Sequence, residues 1–451
     1  MSRQRHLIPL LEGIGSAVVG CVGDIMLDRF VYGGVSRISP EAPIPVLHIG
    51  AQQSSQQSML GGLGNVVRNL GALGAGIRLF SVTGDDAAGA EVNSLVKDVP
   101  SCEAYLLKEA SRCTPVKIRY IAHSQQLLRV DQESTDIACQ EILDALLAHF
   151  TAHVAECSIV FLSDYAKGIL KGSHAQEFIR VARAAGKPVV VDPKGSAFER
   201  YRHATVIKPN LKELGEATGM PVTGNAAQES AARKLLDVTE AQFILLTRGS
   251  DGMLLVPRDR PIAEFPALAR EVYDVSGAGD TVAAVLSVAL GSGAKIEEAV
   301  ELANIAAGIV VGKVGTAVVD RFEIIHEIER ESAMTASGKI LRPAEALERL
   351  RSWKRMGQRV GFLHGVFDPN SPAHLEALGN ARSHCDRLIA GLTVPAGEQR
   401  KDSHSRALLL AFMTAVDAVV ICEPCSPEQL MEAWSRENLS VESITYDTVP
   451  A

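Results

Sequence analysis

Short runs of apolar, often β-branched residues recur along the first two thirds of the chain, each with a polar residue at or near its end. They are "AVVGCVGD" (17–24), "SIVFLSD" (158–164), "PVVVDP" (188–193), "ATVIKPN" (204–210) and "FILLTRG" (243–249). Runs this short and this apolar fit strands buried on both faces. Between them, 176–185 and 226–236 place apolar residues at helical spacing. Alternation of this kind predicts a doubly wound, parallel α/β sheet. The polar ends are Asp24, Asp164, Asp192, Asn210 and Thr247. Open α/β sheets bind ligands at the carboxyl ends of their strands, so these residues mark the expected edge.

Two segments break the pattern. "FVYGGVSRISPEAPIPVLHI" (30–49) carries three prolines among apolar residues. Proline suits edge strands and excursions, so this stretch predicts a small β flap standing off the main sheet. After Val319 a charged stretch without buried-strand character predicts a helical linker, and "RVGFLHG" (359–365) opens a second, smaller Rossmann-like α/β unit. The expected division is 1–320, 321–356 and 357–451. The N-terminus has the basic start and apolar middle of a leader. Glu12 interrupts it, however, and "SAVVGCVGD" runs into Asp24 as a first core strand. No apolar run reaches the ~18–20 residues of a membrane span, so no membrane partner is expected.

Composition adds limits. The 451 residues are 47% apolar and 22% charged, enough for a sizeable core. A net charge of −8 with no basic tract argues against a nucleic-acid partner. Eight scattered cysteines fit a reducing cytoplasm better than a disulfide scaffold. Cys422 and Cys425 form one C-x-x-C without a second pair, which reads as two incidental thiols.

The most informative stretch is "DVSGAGDTVAAVLSVAL" (274–290). Its glycines permit a tight turn with exposed N–H groups, and the apolar helix that follows aims its N-terminus into that turn. Asp280 sits there, where a carboxylate could take the proton of an attacking hydroxyl. Phosphoryl transfer needs both parts, charge stabilisation and a positioned base. Taken alone, the same residues also fit a glycine-rich helix cap.

"DVSGAGDT" resembles the C-terminal signature of the ribokinase-like (PfkB) sugar kinases, and "MLGGLGNVVRNLGALGA" (59–75) resembles their N-terminal, sugar-binding signature. That resemblance implies Asp280 as catalytic base and Gly277, Ala278 and Gly279 as an anion hole. "KPNLKELG" is similar to the family's N-x-x-E stretch, which places Asn210, Leu211, Lys212 and Glu213 at ATP, with Glu213 near Mg²⁺ through water. "TRGSDGM" resembles the nucleotide-side loop, implying Thr247 and Gly249 there. Asn304 falls where the family's helix borders the adenine pocket, and its reading as plain helix core stays open.

The flap sequence, "IRYIAHSQQLLRVD", "LSDYAKG" and "VDPKG" look like the kinase half of the bifunctional heptose 7-phosphate kinase / heptose 1-phosphate adenylyltransferase family, over nearly all of 16–320. The implied reaction is ATP-dependent phosphorylation of D-glycero-β-D-manno-heptose 7-phosphate at its anomeric hydroxyl. It serves ADP-heptose and lipopolysaccharide synthesis. Asp24, Gly61, Gly62 and Asn65 would hold sugar hydroxyls, with Asp164 and Lys167 beside them. The sugar's own phosphate calls for cations, and Arg37, Arg119, Arg129, Lys167 and Lys194 are the candidates. A homodimer through the flap is a further expectation.

In that family the second unit carries G-x-F-D-x-x-H-x-G-H. "GVFDPNSPAHLEAL" (365–378) keeps Gly365, Phe367, Asp368 and His374 but has Ser371 for the first histidine and Ala373 for the glycine, with Pro369 and Pro372 nearby. Serine cannot carry imidazolium charge. The later polar loop is replaced by "PAGEQRKDSHSR", and the text ends at "ESITYDTVPA" before the family's last motifs. A degenerate domain without adenylyl transfer is expected. Three other readings stand beside it: a kinase for another sugar, a fully bifunctional enzyme, and a scaffold degenerate in both halves.

Overall fold

The computed structural model describes residues 5–445, apart from 51–55, 123–124, 269–271, 314, 335, 369–370, 396–399, 424, 438 and 440. Pro369, part of the 395–406 loop and the last residues of "ESITYDTVPA" lie outside the described residues. The chain divides into two compact units, one spanning residues 9–325 and the other built on the residues from 326 onward.

The strands of the first unit are β1 (Val18–Gly23), β2 (Ile25–Ile38), β3 (Pro45–His48), β4 (Gln56–Gly62), β5 (Gly76–Gly84), β6 (Cys102–Glu109), β7 (Val116–Ala122) and β8 (Gln125–Gln132). They continue with β9 (Ile159–Ser163), β10 (Val189–Asp192), β11 (Val206–Ile207), β12 (Phe243–Thr247), β13 (Met253–Pro257) and β14 (Ala263–Phe265). Nine of them form the main sheet in the order β14-β13-β12-β11-β10-β9-β1-β5-β6. It is parallel from β6 to β12 and antiparallel at β13 and β14. Each apolar run singled out above supplies a strand. Strand β11 is only two residues long because Pro209 follows Lys208: proline donates no ladder bond and restricts its predecessor.

The flap is larger than residues 30–49. The long strand β2 leaves the main body and pairs with β3, β4 and β7, and β7 pairs with β8. One sheet face is buried under helices packed on Phe150, Phe178 and Leu235. On the other side, the helix Ala278–Gly291 is buried around its whole circumference from Asp280 to Ala289. A helix apolar on every side belongs in a core, and this one fixes Asp280 rigidly.

The second unit contains β15 (Ile340–Leu341), β16 (Val360–Gly365), β17 (Arg387–Thr393), β18 (Ala418–Cys422) and β19 (Glu442–Thr445), ordered β15-β18-β17-β16-β19. All pairings are parallel. Residues 340–356, expected within a linker, instead add β15 to this sheet and a helix, Pro343–Arg355, whose Leu350 and Trp353 pack with Phe362 and Trp434. A two-residue strand is too short to leave a periodic signal. Among the described residues, no helix is long and apolar enough to cross a membrane.

Candidate active site

The "GAGD" turn forms as its glycines require. Gly277 takes φ +81° as N-cap of the helix Ala278–Gly291, a conformation that favours glycine. The Ala278 N–H donates to the Val275 carbonyl at 3.3 Å, so it is turned partly into the loop. The N–H groups of the first helical turn have no intrahelical acceptor and point along the positive end of the helix dipole. Lys208, buried at the end of β11, has its ammonium 3.7 Å from where a Cβ on Gly279 would stand. It pairs with Asp192 at 2.9 Å. Burial opposes its charge, but Asp192 and, more weakly, Glu213 and Asp280 hold its pKa above the ordinary value.

Asp280 is held by two donors. Asn65 Nδ2 donates to Oδ2 and the Tyr165 hydroxyl donates to Oδ1, each at 2.8 Å. Burial raises its pKa, against the lowering effect of Asn65, Tyr165 and Lys208. A carboxylate has about four acceptor positions, so one bond to each oxygen leaves room for a third donor. Arg68 sets the direction of Asn65: its Nη1 donates to Asn65 Oδ1 at 3.4 Å and to the Thr316 carbonyl at 3.2 Å, which leaves the amide NH₂ turned to Asp280.

Asp24 lies at the end of β1, wholly buried, and accepts the N–H groups of Tyr165 and Lys167 at 2.9 Å and of Ile169 at 3.4 Å. Its pKa is raised to about 6, by burial first and by Asp164 second. The loop after β9 thus folds onto Asp24 and carries Tyr165 to Asp280. Gly62 has φ +56°, and a Cβ on Gly61 would stand 2.4 Å from Asp28 Oδ2. Both glycines are needed where β4 crosses β2. Asp24, Asn65, Gly61, Gly62 and Asp280 therefore come from far apart in sequence to one end of the sheet.

The residues expected at the nucleotide assemble beside them. Asn210 and Glu213 form a capping box: Glu213 N–H to Asn210 Oδ1 at 2.9 Å and Asn210 N–H to Glu213 Oε2 at 3.0 Å. Glu213 Oε1 accepts from Lys194 at 2.9 Å. Leu211 continues the helix, and Lys212 points to solvent with a side chain 83% exposed. Thr247 bridges to Asn210, and Gly249 has φ +61° with open space where a Cβ would stand. Asn304 Nδ2 donates to the Pro266 carbonyl at 2.8 Å, which makes it a support of the chain opposite its helix.

Among the described residues, no group of three or more His, Cys, Asp or Glu side chains could cage a metal. Glu213 and the nearby Asp192 are the carboxylates on this side. That donor set fits Mg²⁺, which keeps several waters and takes one or two carboxylates together with phosphate oxygens. Burial raises the Cys422 thiol to about 12, so a thiolate in the C-x-x-C is costly.

Three of the residues expected on the sugar side have other surroundings in the chain. Asp164 accepts from the Tyr201 hydroxyl at 2.7 Å, Arg200 at 3.0 Å and the Ala166 N–H at 2.7 Å, and so buttresses the loop. Lys194 is paired with Glu213 at 2.9 Å. Arg37 is exposed at the outer end of β2. Sequence reasoning missed Tyr165, Arg68, Asp28, Lys117 and Lys208. Tyr165 stands inside the quoted "LSDYAKG", but nothing in its spacing announces that its hydroxyl reaches Asp280.

In the second unit, Ser371 is the N-cap of the helix Pro372–His384 without a side-chain cap bond. His374 Nδ1 lies 2.9 Å from the Asp368 nitrogen and 3.2 Å from its carbonyl oxygen. The three residues thus meet at one turn after β16.

Comparison with known proteins agrees with this geometry. Residues 19–321 match the pfkB family carbohydrate kinase pattern. The chain has the fold of Arabidopsis thaliana ribokinase, complexed with ribose and ATP, with a TM-score of 0.55 at 21% identity over 69% of this chain and 98% of that one. It matches phosphofructokinase-2 from Escherichia coli with a TM-score of 0.57 at 19% identity, over 70% and 99%. The chain is therefore a carbohydrate kinase of the pfkB family, an ATP- and Mg²⁺-dependent phosphotransferase.

Its full-length relatives narrow this. It is 46% identical to the bifunctional protein HldE of Paramagnetospirillum magneticum over 96% of this chain and 89% of that protein. It is 43% identical to HldE of Rhodospirillum rubrum over 92% and 84%. The chain belongs to the HldE family, the heptose 7-phosphate kinase / adenylyltransferases that its motifs resemble.

Proposed function

We propose that Asp280 is the base that activates the anomeric hydroxyl of D-glycero-β-D-manno-heptose 7-phosphate for attack on the γ-phosphorus of ATP. The product is the 1,7-bisphosphate on the route to ADP-heptose and lipopolysaccharide. The observation that carries this is Asp280 itself, buried at a helix N-terminus between Asn65 and Tyr165, with an elevated pKa. Burial brings the carboxylate toward the range in which a general base works well at neutral pH.

The acceptor hydroxyl gives its proton to Asp280 as its oxygen bonds to phosphorus, and the bridging oxygen leaves with ADP. Asp24 accepts sugar hydroxyls, and Gly61 and Gly62 admit the ring close to the backbone. Charge on the transferring oxygens meets the first-turn N–H groups of the helix Ala278–Gly291 and Lys208. Thr247, Gly249 and Asn210 border the nucleotide. Glu213 and Asp192 would hold Mg²⁺, which would supply positive charge to the ATP phosphates. Incubating the protein with ATP, Mg²⁺ and heptose 7-phosphate should give bisphosphate by mass, and Asp280→Asn should slow it at least about 100-fold. An equal rate in the variant would remove Asp280 from its role.

The second unit offers one imidazole, His374, and the Ser371 hydroxyl at the turn where the family's motif has two imidazoles. A lost donor to transition-state charge costs about 10²–10³ in rate, so adenylyl transfer is impaired here. The flap also supports a homodimer. Leu128 and Val130 on one face of β8 are 56% and 40% exposed, and apolar side chains on an edge strand are normally covered. Eight free thiols support a cytoplasmic location.

A further inference from the structure

The residue after Tyr165 is held in a conformation that its side chain disfavours. Ala166 has φ +58°, in the left-handed region that glycine enters freely and alanine does not. The turn it makes lets Tyr165 and Lys167, on either side, both donate their N–H groups to Asp24. The same turn sends the Tyr165 hydroxyl to Asp280, with the ring centroid 5.5 Å from the Lys117 ammonium. Relaxed backbone at Ala166 would carry Tyr165 away from both carboxylates.

One bond opposes the strain: the Ala166 N–H donates to Asp164 Oδ1 at 2.7 Å. Asp164 is buried, and it stands close enough to Asp24 to be the second cause, after burial, of that group's raised pKa of about 6. Two carboxylates this close and this dry need a cation if both are to carry charge. The cation is Arg200, from the short helical turn Phe198–Tyr201 that follows β10.

Arg200 Nη2 lies 3.0 Å from Asp164 Oδ2, and its side chain is only 15% exposed. It also donates to the Lys194 carbonyl, and its guanidinium lies 4.9 Å from the centroid of the Tyr201 ring. The Tyr201 hydroxyl donates to the same Asp164 oxygen at 2.7 Å. Arg200 Nε is buried with no acceptor among the described residues, so the fork is turned to Asp164 at the expense of one donor. A hydrogen bond to an ionised acceptor is about twice as strong as a neutral one. With the guanidinium in place, the bond from Ala166 is charge-assisted and outweighs the left-handed strain. Without it, a buried carboxyl beside Asp24 takes up a proton, and the weaker bond no longer holds the turn.

We infer that Arg200 is a positioning residue for the base: by keeping charge on Asp164 it fixes Ala166 left-handed and so keeps the Tyr165 hydroxyl on Asp280. This rests on the reading of Asp280 as the base. Arg200 acts through Asp164, Ala166 and Tyr165 and does not itself meet the reacting atoms. Asn65, Lys208 and Asp28 also act on Asp280, and all three are unaltered in the variants that test the inference.

The test compares full-length wild type, Arg200→Met, Arg200→Lys, Tyr165→Phe and the double variant Tyr165→Phe/Arg200→Met. Each receives saturating heptose 7-phosphate, ATP and Mg²⁺, and kcat is followed against pH. Arg200→Met should move the acid limb up by about one pH unit, so that kcat below the limb falls about tenfold. Arg200→Lys, which keeps the charge, should recover most of that displacement. The double variant should match Tyr165→Phe alone, because both changes remove the same bond to Asp280. Three results overturn the inference while leaving Asp280 as the base: displacements that add, a limb as far displaced in Arg200→Lys as in Arg200→Met, or a limb unmoved in an active Arg200→Met enzyme. If Arg200→Met does not fold, Ala166→Val tests the same step with the ion pair intact, since a β-branched residue resists the left-handed region. The same displacement there supports the inference, and an unmoved limb overturns it. An Asp280→Asn enzyme as fast as wild type removes the base, and the inference with it.

Discussion

The Tyr165 hydroxyl donates to Asp280 Oδ1 at 2.8 Å, while the Tyr165 backbone N–H donates to Asp24 Oδ2 at 2.9 Å. One residue thus joins the proposed base to the proposed sugar-binding carboxylate. Any shift of the loop after β9 moves both together.

Replacing Tyr165 by Phe keeps the ring under Lys117 and removes the donor. A hydrogen bond to the charged form stabilises that form, so its loss raises the pKa of Asp280 further. The base acts when ionised, and rate therefore increases as pH rises through its pKa. The acid limb of kcat in Tyr165→Phe should move to higher pH by about one unit, seen in a kcat–pH profile. A limb that stays in place would show that Tyr165 does not set the base.

The main sheet was legible because its central strands are buried on both faces and read as unbroken apolar runs. The "GAGD" turn was legible because glycine is needed there for φ +81°. The flap was only half legible: Gln125–Gln132 is exposed along its length, so no alternation marks it as a strand. Charge partners were not legible at all. Arg119 and Lys117 stand two residues apart in sequence, yet one is neutralised across the sheet and the other is not, because pairing depends on β2, β7 and β8 lying side by side. Asp164 shows the same limit, since Tyr201 and Arg200 approach it from another element.

Glu213 does two jobs that a single substitution separates. Gln at this position still completes a capping box with Asn210, so the helix Leu211–Thr218 should hold and the melting temperature should change little. The negative charge shared with Lys194 is lost. In Glu213→Gln, about tenfold more Mg²⁺ should be needed for half-maximal activity, read from a Mg²⁺ titration at fixed ATP. An unchanged titration would place the metal elsewhere.

Asp24 makes stability depend on pH. Its folded pKa, about 6, lies above the ordinary aspartate value of 3.8 that holds in the unfolded chain. The folded state therefore holds the proton more tightly. That stabilisation is complete below about pH 4 and is lost as pH rises through about 6. The shift corresponds to about 3 kcal/mol for a group this buried. Asp192, raised to about 6 mainly by burial, acts in the same direction. Urea unfolding at pH 4, 6 and 8 should show Asp24→Asn gaining on wild type by up to about 3 kcal/mol across that window, from whatever offset its lost N–H acceptors set. A constant difference between the two proteins would mean that Asp24 is not shifted.

The second unit invites restoration instead of loss. Ser371 caps the helix Pro372–His384 without using its side chain, so replacing it sacrifices no cap bond. Ala373 lies in the first turn, and glycine there costs about 1 kcal/mol of helix propensity. The double change Ser371→His and Ala373→Gly recreates the two-imidazole turn beside His374. Wild type offered heptose 1-phosphate and ATP should form no detectable ADP-heptose, whereas the double variant should raise the rate by about 10² if the missing imidazole is the limiting loss. Kinase activity measured in the same preparation should stay at the wild-type level, since both substitutions lie in the other unit. ADP-heptose from the unaltered chain would instead show that Ser371 supports transfer as it stands.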